Sequence, residues 1–126
     1  MWFKIESNHN GMVLDIAEGK HGARIITYPY HGGDNQLWTW KDNSLVSKTG
    51  YAMDVEGGNT SAGANVISWT HHGDKNQQWR QDGHKITSTL NGMALDIEDG
   101  SMVSGAKLIL WPEHGGSNQS WKIVSV

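Results

Sequence analysis

The sequence contains no cysteine, no block of like charge and no long apolar run, and each absence excludes a class of protein. Without cysteine, neither a disulfide framework nor a thiolate zinc site can form, so packing has to provide the stability. The 10 basic and 13 acidic residues are dispersed, which gives no support for a nucleic acid or a membrane surface recognised by charge. No segment approaches the roughly 20 apolar residues of a membrane span, so membrane insertion is not expected.

The 126 residues instead contain one motif three times, His-Gly-x-x-Asn-Gln-x-Trp, at residues 31–38, 72–79 and 114–121. The steps between the copies are 41 and 42 residues. A motif that returns at a nearly fixed period indicates copies of one structural unit, and the length fits a single domain. The three repeats are predicted at approximately 1–41, 42–83 and 84–126.

No stretch shows sustained helical periodicity, and the predicted secondary structure is β throughout. Short runs rich in Ile, Val, Leu and Trp alternate with clusters of Gly, Asn and Asp, a pattern typical of strands joined by tight turns. The clearest turn dipeptides are Asn10-Gly11, Asp82-Gly83 and Asn91-Gly92. In the second repeat, strands are predicted near Leu45–Ser47, Tyr51–Val55, Asn65–Trp69 and Gln78–Arg80. Three such units predict about twelve strands, and closure around a threefold axis removes most exposed sheet edges.

Strand alternation predicts which polar side chains leave the core. In each repeat one Asp lies between two apolar residues of the same strand, so its carboxylate is expected on the opposite face. An aromatic residue at the end of the following strand is expected to point outward by the same rule. The outward pairs are Asp15 with Tyr28, Asp54 with Trp69, and Asp96 with Trp111.

Each repeat also contains Gln-x-Trp, beginning at Gln36, Gln77 and Gln119, and with these motifs in register the chain resembles the ricin B-chain-like, or R-type, lectins. The likeness extends over essentially the whole chain. It implies the β-trefoil, an all-β fold of three pseudo-symmetric, four-stranded repeats. It also implies that the Trp of each motif packs in the core and that the Gln mainly supports the site.

The resemblance further implies a sugar-binding site in each repeat, with galactose or N-acetylgalactosamine as the ligand. A carboxylate accepts hydrogen bonds from neighbouring hydroxyls, an amide both donates and accepts, and an aromatic ring packs against the apolar C–H face of the sugar. The residues on which these roles fall, with the supporting Gln, are Asp15, Tyr28, Asn35 and Gln36; Asp54, Trp69, Asn76 and Gln77; and Asp96, Trp111, Asn118 and Gln119.

The chain departs from the ricin pattern two residues before each aromatic, where the pattern often has Gln and this chain has Ile26, Ile67 and Ile109. One sugar hydrogen bond must therefore be absent or come from another residue. A repeated histidine, three residues after each aromatic, is one candidate for that bond. These histidines are His31, His72 and His114.

Glu56 and Glu98 are further candidates, because alternation places them on the same strand face as the preceding Asp. The first repeat has Ala17 at that position and Tyr28 as its aromatic, and it is shorter by two residues between positions 16 and 23. Its site is therefore expected to be weak or inactive.

Catalysis and metal binding fit the pattern poorly. A glycosidase needs two carboxylates about 5 to 9.5 Å apart, whereas the repeated Asp residues should lie one per repeat, far apart around the axis. The chain has no nucleophile-elbow or phosphate-loop motif. His71 and His72 are adjacent, and adjacent strand residues point to opposite faces. We therefore expect no enzyme, no metal and no cofactor.

The sequence thus predicts a multivalent lectin for glycoproteins or glycolipids ending in galactose or N-acetylgalactosamine, with cell agglutination as its activity and its oligomeric state open. A xylan- or other polysaccharide-binding module is an alternative, as is a protein-binding, inhibitor-like trefoil, although inhibitors act through one irregular loop and these three loops match.

The N-terminus has no apolar run of signal-peptide length, and the glycosylation acceptor Asn118-Gln-Ser120 falls inside a predicted site. Both favour a cytoplasmic or non-classically secreted protein.

Overall fold

Twelve strands and six short 3₁₀ turns follow one another along the computed structural model, which describes residues Met1–Val126. The predicted number of strands is confirmed, and so are all four strands of the second repeat. No helix is long and apolar enough to cross a membrane. The strands are β1 Phe3–Ser7, β2 Val13–Ile16, β3 Ile25–Tyr28, β4 Trp38–Lys41, β5 Ser44–Ser47, β6 Tyr51–Val55, β7 Val66–Thr70, β8 Trp79–Asp82, β9 Lys85–Ser88, β10 Ala94–Ile97, β11 Leu108–Trp111 and β12 Trp121–Ser125.

Six of the strands close into a barrel. Strand β1 pairs with β12 and β4, β4 pairs with β5, and β8 pairs with β9. Two backbone bonds complete the ring, because Trp79 N donates to Asn43 O (2.8 Å) and Trp121 N donates to His84 O (2.7 Å). Because the barrel is closed, each of these six strands has a hydrogen-bonded neighbour on both sides.

The other six strands form three hairpins, β2–β3, β6–β7 and β10–β11. Single β-bridges join each hairpin to the other two, at Arg24 and Ile67, Ile26 and Lys107, and Asn65 and Ile109. The hairpins therefore surround one axis, and each repeat contributes one hairpin and two barrel strands. This is the β-trefoil that the resemblance implied.

Matching turns start the hairpins of the first and third repeats. The side chain of Asn10 accepts a hydrogen bond from Met12 N, and that of Asn91 accepts one from Met93 N, both at 2.9 Å. The residue after each Asn is a glycine at φ +74° or +75°, in the left-handed region that favours glycine. The tight turns predicted at these two dipeptides are confirmed.

The Trp of each Gln-x-Trp motif packs in the core, as the resemblance implied, with Trp38, Trp79 and Trp121 exposing 2% or less of their surface. Each indole Nε1 donates to the carbonyl of the residue before Asp15, Asp54 or Asp96 in the same repeat. The acceptors are Leu14 O (3.2 Å), Met53 O (3.0 Å) and Leu95 O (3.0 Å). A barrel strand is thus bonded to a hairpin inside every repeat.

Each repeat also places a loop on the hairpin of another repeat through one glycine N–H. Gly22 N donates to Ser68 O in β7 (2.8 Å), Gly63 N to Leu110 O in β11 (2.7 Å), and Gly105 N to Thr27 O in β3 (2.8 Å). The three contacts run in one direction around the axis. Every hairpin is therefore bordered by a loop from outside its own repeat.

Replacing Trp79 by Phe should lower the free energy of unfolding by about 2–4 kcal/mol, because it removes buried contacts and leaves the carbonyl of Met53 without its donor. Urea unfolding followed by circular dichroism measures the loss. Trp111→Phe is the matched control: its ring is 43% exposed, so the change should stay within about 0.5 kcal/mol. Equal losses in both variants would contradict the structural role of Trp79.

Candidate functional sites

Each repeat brings a carboxylate, two amides, an imidazole and an aromatic ring together between its hairpin and the 3₁₀ turn before its Gln-x-Trp tryptophan. The carboxylate lies on the first hairpin strand and the aromatic ends the second, while the turn carries the amides. These turns are Asp34–Gln36, Lys75–Gln77 and Ser117–Gln119. We call the three assemblies the first, second and third sites, after the Asp and aromatic pairs predicted above.

The prediction of an outward aromatic is confirmed in all three sites. Tyr28, Trp69 and Trp111 expose 44%, 41% and 43% of their surface. The residue just before each of them is buried at 0% exposure, as strand alternation requires. The sites therefore present an aromatic ring to the solvent on a rigid strand.

The expectation of an open, outward carboxylate needs a correction. Asp15, Asp54 and Asp96 do lie on the face opposite the apolar core, but each is only 3% exposed. The Asn and Gln of the 3₁₀ turn cover the carboxylate and donate to its two oxygens. The Gln Nε2 to Asp Oδ2 distance is 2.8 Å in every site. The Asn Nδ2 to Asp Oδ1 distances are 3.1, 3.3 and 3.3 Å in the first, second and third sites.

Burial changes the titration of these carboxyls. It raises the pKa of Asp15, Asp54 and Asp96 above the ordinary 3.8, because the charged form loses water. The Gln hydrogen bond opposes the rise most, followed by the charge of the nearby His and the Asn hydrogen bond. Keeping each carboxylate ionised therefore costs more solvation free energy than it does in an exposed Asp. The ionised form remains an acceptor of hydrogen bonds.

The Gln side chains have no free donor left for a ligand. In the second site, Gln77 Nε2 donates to Asp54 and to the carbonyl of Thr70 (2.9 Å), while its Oε1 accepts from the N–H groups of His72 (2.8 Å) and Gly73 (3.1 Å). Gln36 makes the four matching bonds, whereas Gln119 makes three of them, to His114 N, Asp96 and the carbonyl of Pro112, and both side chains are buried. This geometry agrees with the supporting role that the resemblance implied.

The Asn side chains keep a free acceptor. Both hydrogens of Asn76 Nδ2 are used, on Asp54 and on the carbonyl of Val55 (3.2 Å). Asn35 and Asn118 donate likewise to Ile16 O (3.1 Å) and Ile97 O (3.3 Å). The amide oxygen receives no protein hydrogen bond, so it remains available to a ligand hydroxyl.

The repeated histidines present a donor beside the carboxylate. Their Nδ1 accepts a backbone N–H from Gly33 (3.0 Å), Asp74 (3.0 Å) or Gly116 (2.9 Å). Because Nδ1 is an acceptor, the neutral ring carries its hydrogen on Nε2. That atom lies 3.8, 3.8 and 3.6 Å from the Asp Oδ2 in the first, second and third sites. A ligand oxygen placed between the two can meet a donor and an acceptor at once.

Cavities mark the second and third sites. The one in the second site has a volume of 370 Å³, and the one in the third has 260 Å³. Asp, Ile, the aromatic, His and Asn line both of them. Ile67 and Ile109 form an apolar wall where the ricin pattern often has a polar side chain, and the His Nε2–H is an additional polar group that lines both cavities.

The two predicted glutamates have different surroundings. Glu56 lines the second cavity, but Glu98 is paired with Lys107 (3.5 Å), and the next residue, Asp99, lines the third cavity instead. Strand alternation does not extend to these residues, since each strand ends one residue earlier and a 3₁₀ turn begins at the Glu. Asp99, whose φ is +59°, was not among the site residues predicted from the sequence. The turn-favouring Glu-Asp-Gly sequence was the signal that could have revealed it.

The chemistry that a site offers is therefore narrow. It combines a carboxylate, an amide oxygen and an imidazole N–H, all fixed by other protein groups, with one exposed ring. No group of three or more His, Asp and Glu side chains lies close enough together to hold a metal ion. Such an arrangement suits a compact ligand that has several hydroxyls on one side and an apolar face on the other.

The chain matches the family model described as the ricin-type beta-trefoil lectin domain over residues 1–121. ThreeFoil, a designed threefold-symmetric protein, superposes with a TM-score of 0.90 at 40% identity, covering 99% of both chains. The C-half of an earthworm R-type lectin, solved with N-acetylgalactosamine, gives 0.83 at 28% identity over 99% of this chain and 98% of that one. The Macrolepiota procera ricin B-like lectin, solved with lactose, gives 0.83 at 26% over 98% and 94%. No curated protein sequence matches the chain significantly.

The raised pKa of Asp54 predicts a pH dependence of stability with a definite sign. A carboxyl that binds its proton more readily in the folded than in the unfolded chain stabilises the fold fully below pH 3.8, and the effect is lost as the pH rises through the folded pKa. The free energy of unfolding of the wild type, relative to that of Asp54→Asn, should therefore rise as the pH falls from 7 towards 4. Urea unfolding at several pH values measures this difference. A constant difference, or one that falls in acid, would contradict the burial argument.

Proposed function

Because the chain belongs to the ricin-type beta-trefoil lectin domain family, we propose that it is a multivalent lectin for glycans that end in galactose or N-acetylgalactosamine. Carbohydrate binding as such is the property of this family, and the proposal concerns which sugar is bound and how. The observation that carries the proposal is the carboxylate and imidazole pair beside an exposed ring, present in all three repeats.

The geometry of the second site supports a galactose-type ligand. Two adjacent hydroxyls of the sugar donate to the Asp54 carboxylate, and the His72 Nε2–H donates to one of their oxygens. In galactose the axial 4-hydroxyl leaves the C–H groups of one face uncovered, and that face packs on Trp69. An equatorial 4-hydroxyl, as in glucose, points away from the carboxylate in the same pose. The two relatives solved with N-acetylgalactosamine and with lactose support the same ligand class.

The proposed activity is binding without catalysis. Hydrolysis of a glycosidic bond needs two carboxyl groups in a fixed relation to each other. The second cavity holds Glu56 beside Asp54 and the third holds Asp99 beside Asp96, but these two acids come from different positions of the repeat, and the first site has Ala17 where the second has Glu56. A second acid is thus not part of the repeated arrangement, whereas the groups suited to hold a sugar are.

Three sites on one rigid body give the protein avidity. A single shallow sugar site binds with a dissociation constant on the order of 1 mM. Simultaneous attachment to a surface that carries many glycans strengthens binding by about 10² to 10⁴. Agglutination of cells follows when sites of one molecule bind glycans on different cells. We propose the second and third sites as the main ones, since Tyr28 and Ala17 make the first site the least similar of the three.

A two-dimensional NMR titration that follows the seven Trp indole N–H signals tests the specificity. Galactose and N-acetylgalactosamine should shift the signals of Trp69 and Trp111 and leave those of the buried Trp38, Trp79 and Trp121 almost unchanged. Glucose and xylose are the control sugars. If xylose or glucose shifts the same signals at equal concentration, the galactose assignment is wrong, and if no sugar shifts any indole, the sites do not bind simple sugars.

The double variant Trp69→Ala, Trp111→Ala should raise the minimum agglutinating concentration at least about tenfold, because two of the three sites lose their stacking surface. Because each ring also buries part of its surface, as Trp69 does on His21, thermal unfolding should show some loss of stability, and it checks that the variant is folded at the assay temperature. Tyr30→Ala is the matched control, since Tyr30 is equally exposed at 43% but lies on Lys4 (4.4 Å) outside the cavities. Unchanged agglutination by the double variant refutes the proposed sites.

A further inference from the structure

We infer that His21, a side chain of the first repeat, positions the stacking ring of the second site and sets the affinity of that site above the affinity of the other two. The inference rests on the proposed binding of sugar at the second site. Its basis is a direct contact: the imidazole of His21 lies 4.2 Å from the ring of Trp69, centroid to centroid, with an angle of 37° between the planes.

The imidazole of His21 is itself held in place by two further contacts. Its Nε2 is 3.2 Å from the hydroxyl of Thr70, the residue after Trp69 in β7. Its ring lies 5.2 Å from that of Tyr51, which pairs with Thr70 across the hairpin. The imidazole of His21, which is otherwise exposed to solvent, thus contacts three side chains of the second repeat.

His21 contacts the indole of Trp69 from outside the cavity of the second site. The cavity of the second site is lined by Trp69, but neither His21 nor Gly22 belongs to its lining. Gly22 also lies against the ring, since a Cβ built on it would be 3.5 Å from Cζ3 of Trp69. Residues 21 and 22 therefore form a wall behind the ring, and a sugar would pack against its front.

The backbone of this wall is fixed to β7 by the buried Ser68. Besides the bond from Gly22 N to Ser68 O, the hydroxyl of Ser68 donates to the carbonyl of Lys20 (2.6 Å) and accepts from the N–H of Ala23 (3.2 Å). The loop cannot move away from Trp69 without breaking these bonds. His21 is consequently part of the second site although it is 33 residues before Asp54 in the sequence.

The other two sites lack this support. Gly63 and Gly105 make the same backbone bond to their hairpins as Gly22, but the residues before them are Ala62 and Ser104, which have no ring to stack. The loop of the first repeat is also the shortened one. It lies against two sites, because a Cβ built on Gly19 would be 3.7 Å from Cβ of Asn35 in the first site, while residues 21 and 22 contact Trp69 of the second.

A stacking ring that is already ordered loses less conformational freedom when the ligand binds. His21 restricts the rotation of Trp69, so the second site binds its sugar with a smaller entropic penalty than the third, where Trp111 has no such partner. Removing the imidazole should weaken the second site about two- to tenfold, the range expected for one aromatic contact and one ordered side chain.

The test is a titration of the full chain with N-acetylgalactosamine, in which the indole N–H signals of Trp69 and Trp111 report the second and third sites separately. His21→Ala should raise the dissociation constant measured at Trp69 about two- to tenfold and leave that at Trp111 unchanged. His21→Phe keeps a ring against Trp69 and should restore most of the affinity. Ser104→Ala, the matching change beside the first site, should alter neither value.

Two other outcomes overturn the inference. Wild-type affinity at Trp69 in His21→Ala shows that the imidazole does not position the ring. An equal loss at Trp69 and Trp111 shows a general effect on the fold. NMR relaxation of the Trp69 indole N–H in the sugar-free protein is an independent measurement. The order parameter of this group should fall in His21→Ala and should not fall in Ser104→Ala. If the wild type shows no response to any sugar, the proposed function itself fails, and this result is distinguishable from all the others.

Discussion

The hydrogen bond between a buried Asp and the Gln of the Gln-x-Trp motif is the interaction on which each repeat depends. Its length is 2.8 Å in all three repeats, and it joins the first hairpin strand to the turn that leads into the barrel. A carboxylate in a nearly closed environment is costly unless donors satisfy it. The Gln and the preceding Asn provide those donors, and the same Gln fixes the loop that carries the His. One bond therefore stabilises the fold and places the groups of the site.

The fold and the sites share residues because the barrel and the hairpins meet at the Asp strand. The core indole of each motif donates to the carbonyl of the residue before the Asp. The buried Trp79, for example, thereby fixes the part of the strand that carries Asp54. A site built in this way repeats wherever the fold repeats. Multivalency in this protein is thus a consequence of threefold architecture, and it requires no separate binding device.

The three sites are alike at their centre and different at their borders. Every centre has Asp, Asn, Gln and His with nearly equal distances, because those residues belong to one repeat. The borders are formed by loops from another repeat, and each loop places a different side chain beside the aromatic. Trp69 packs on His21, whereas the loops beside the other two aromatics carry Ser104 and Ala62 at that position. Symmetric repeats can therefore hold sites of unequal strength.

The repeat period, the number of strands and the outward aromatics could be predicted from local periodicity and turn residues, and the trefoil followed from the family resemblance that the three Gln-x-Trp motifs carry. The sequence by itself determined on which side of its strand Asp54 lies but not its burial, because alternation states nothing about what covers that side. It did not reveal that Glu98 pairs with Lys107, because alternation ends where the strand ends. Only the tertiary structure placed His21 behind Trp69, since a contact between residues 48 positions apart arises from the closure of the fold around its axis and leaves no local pattern.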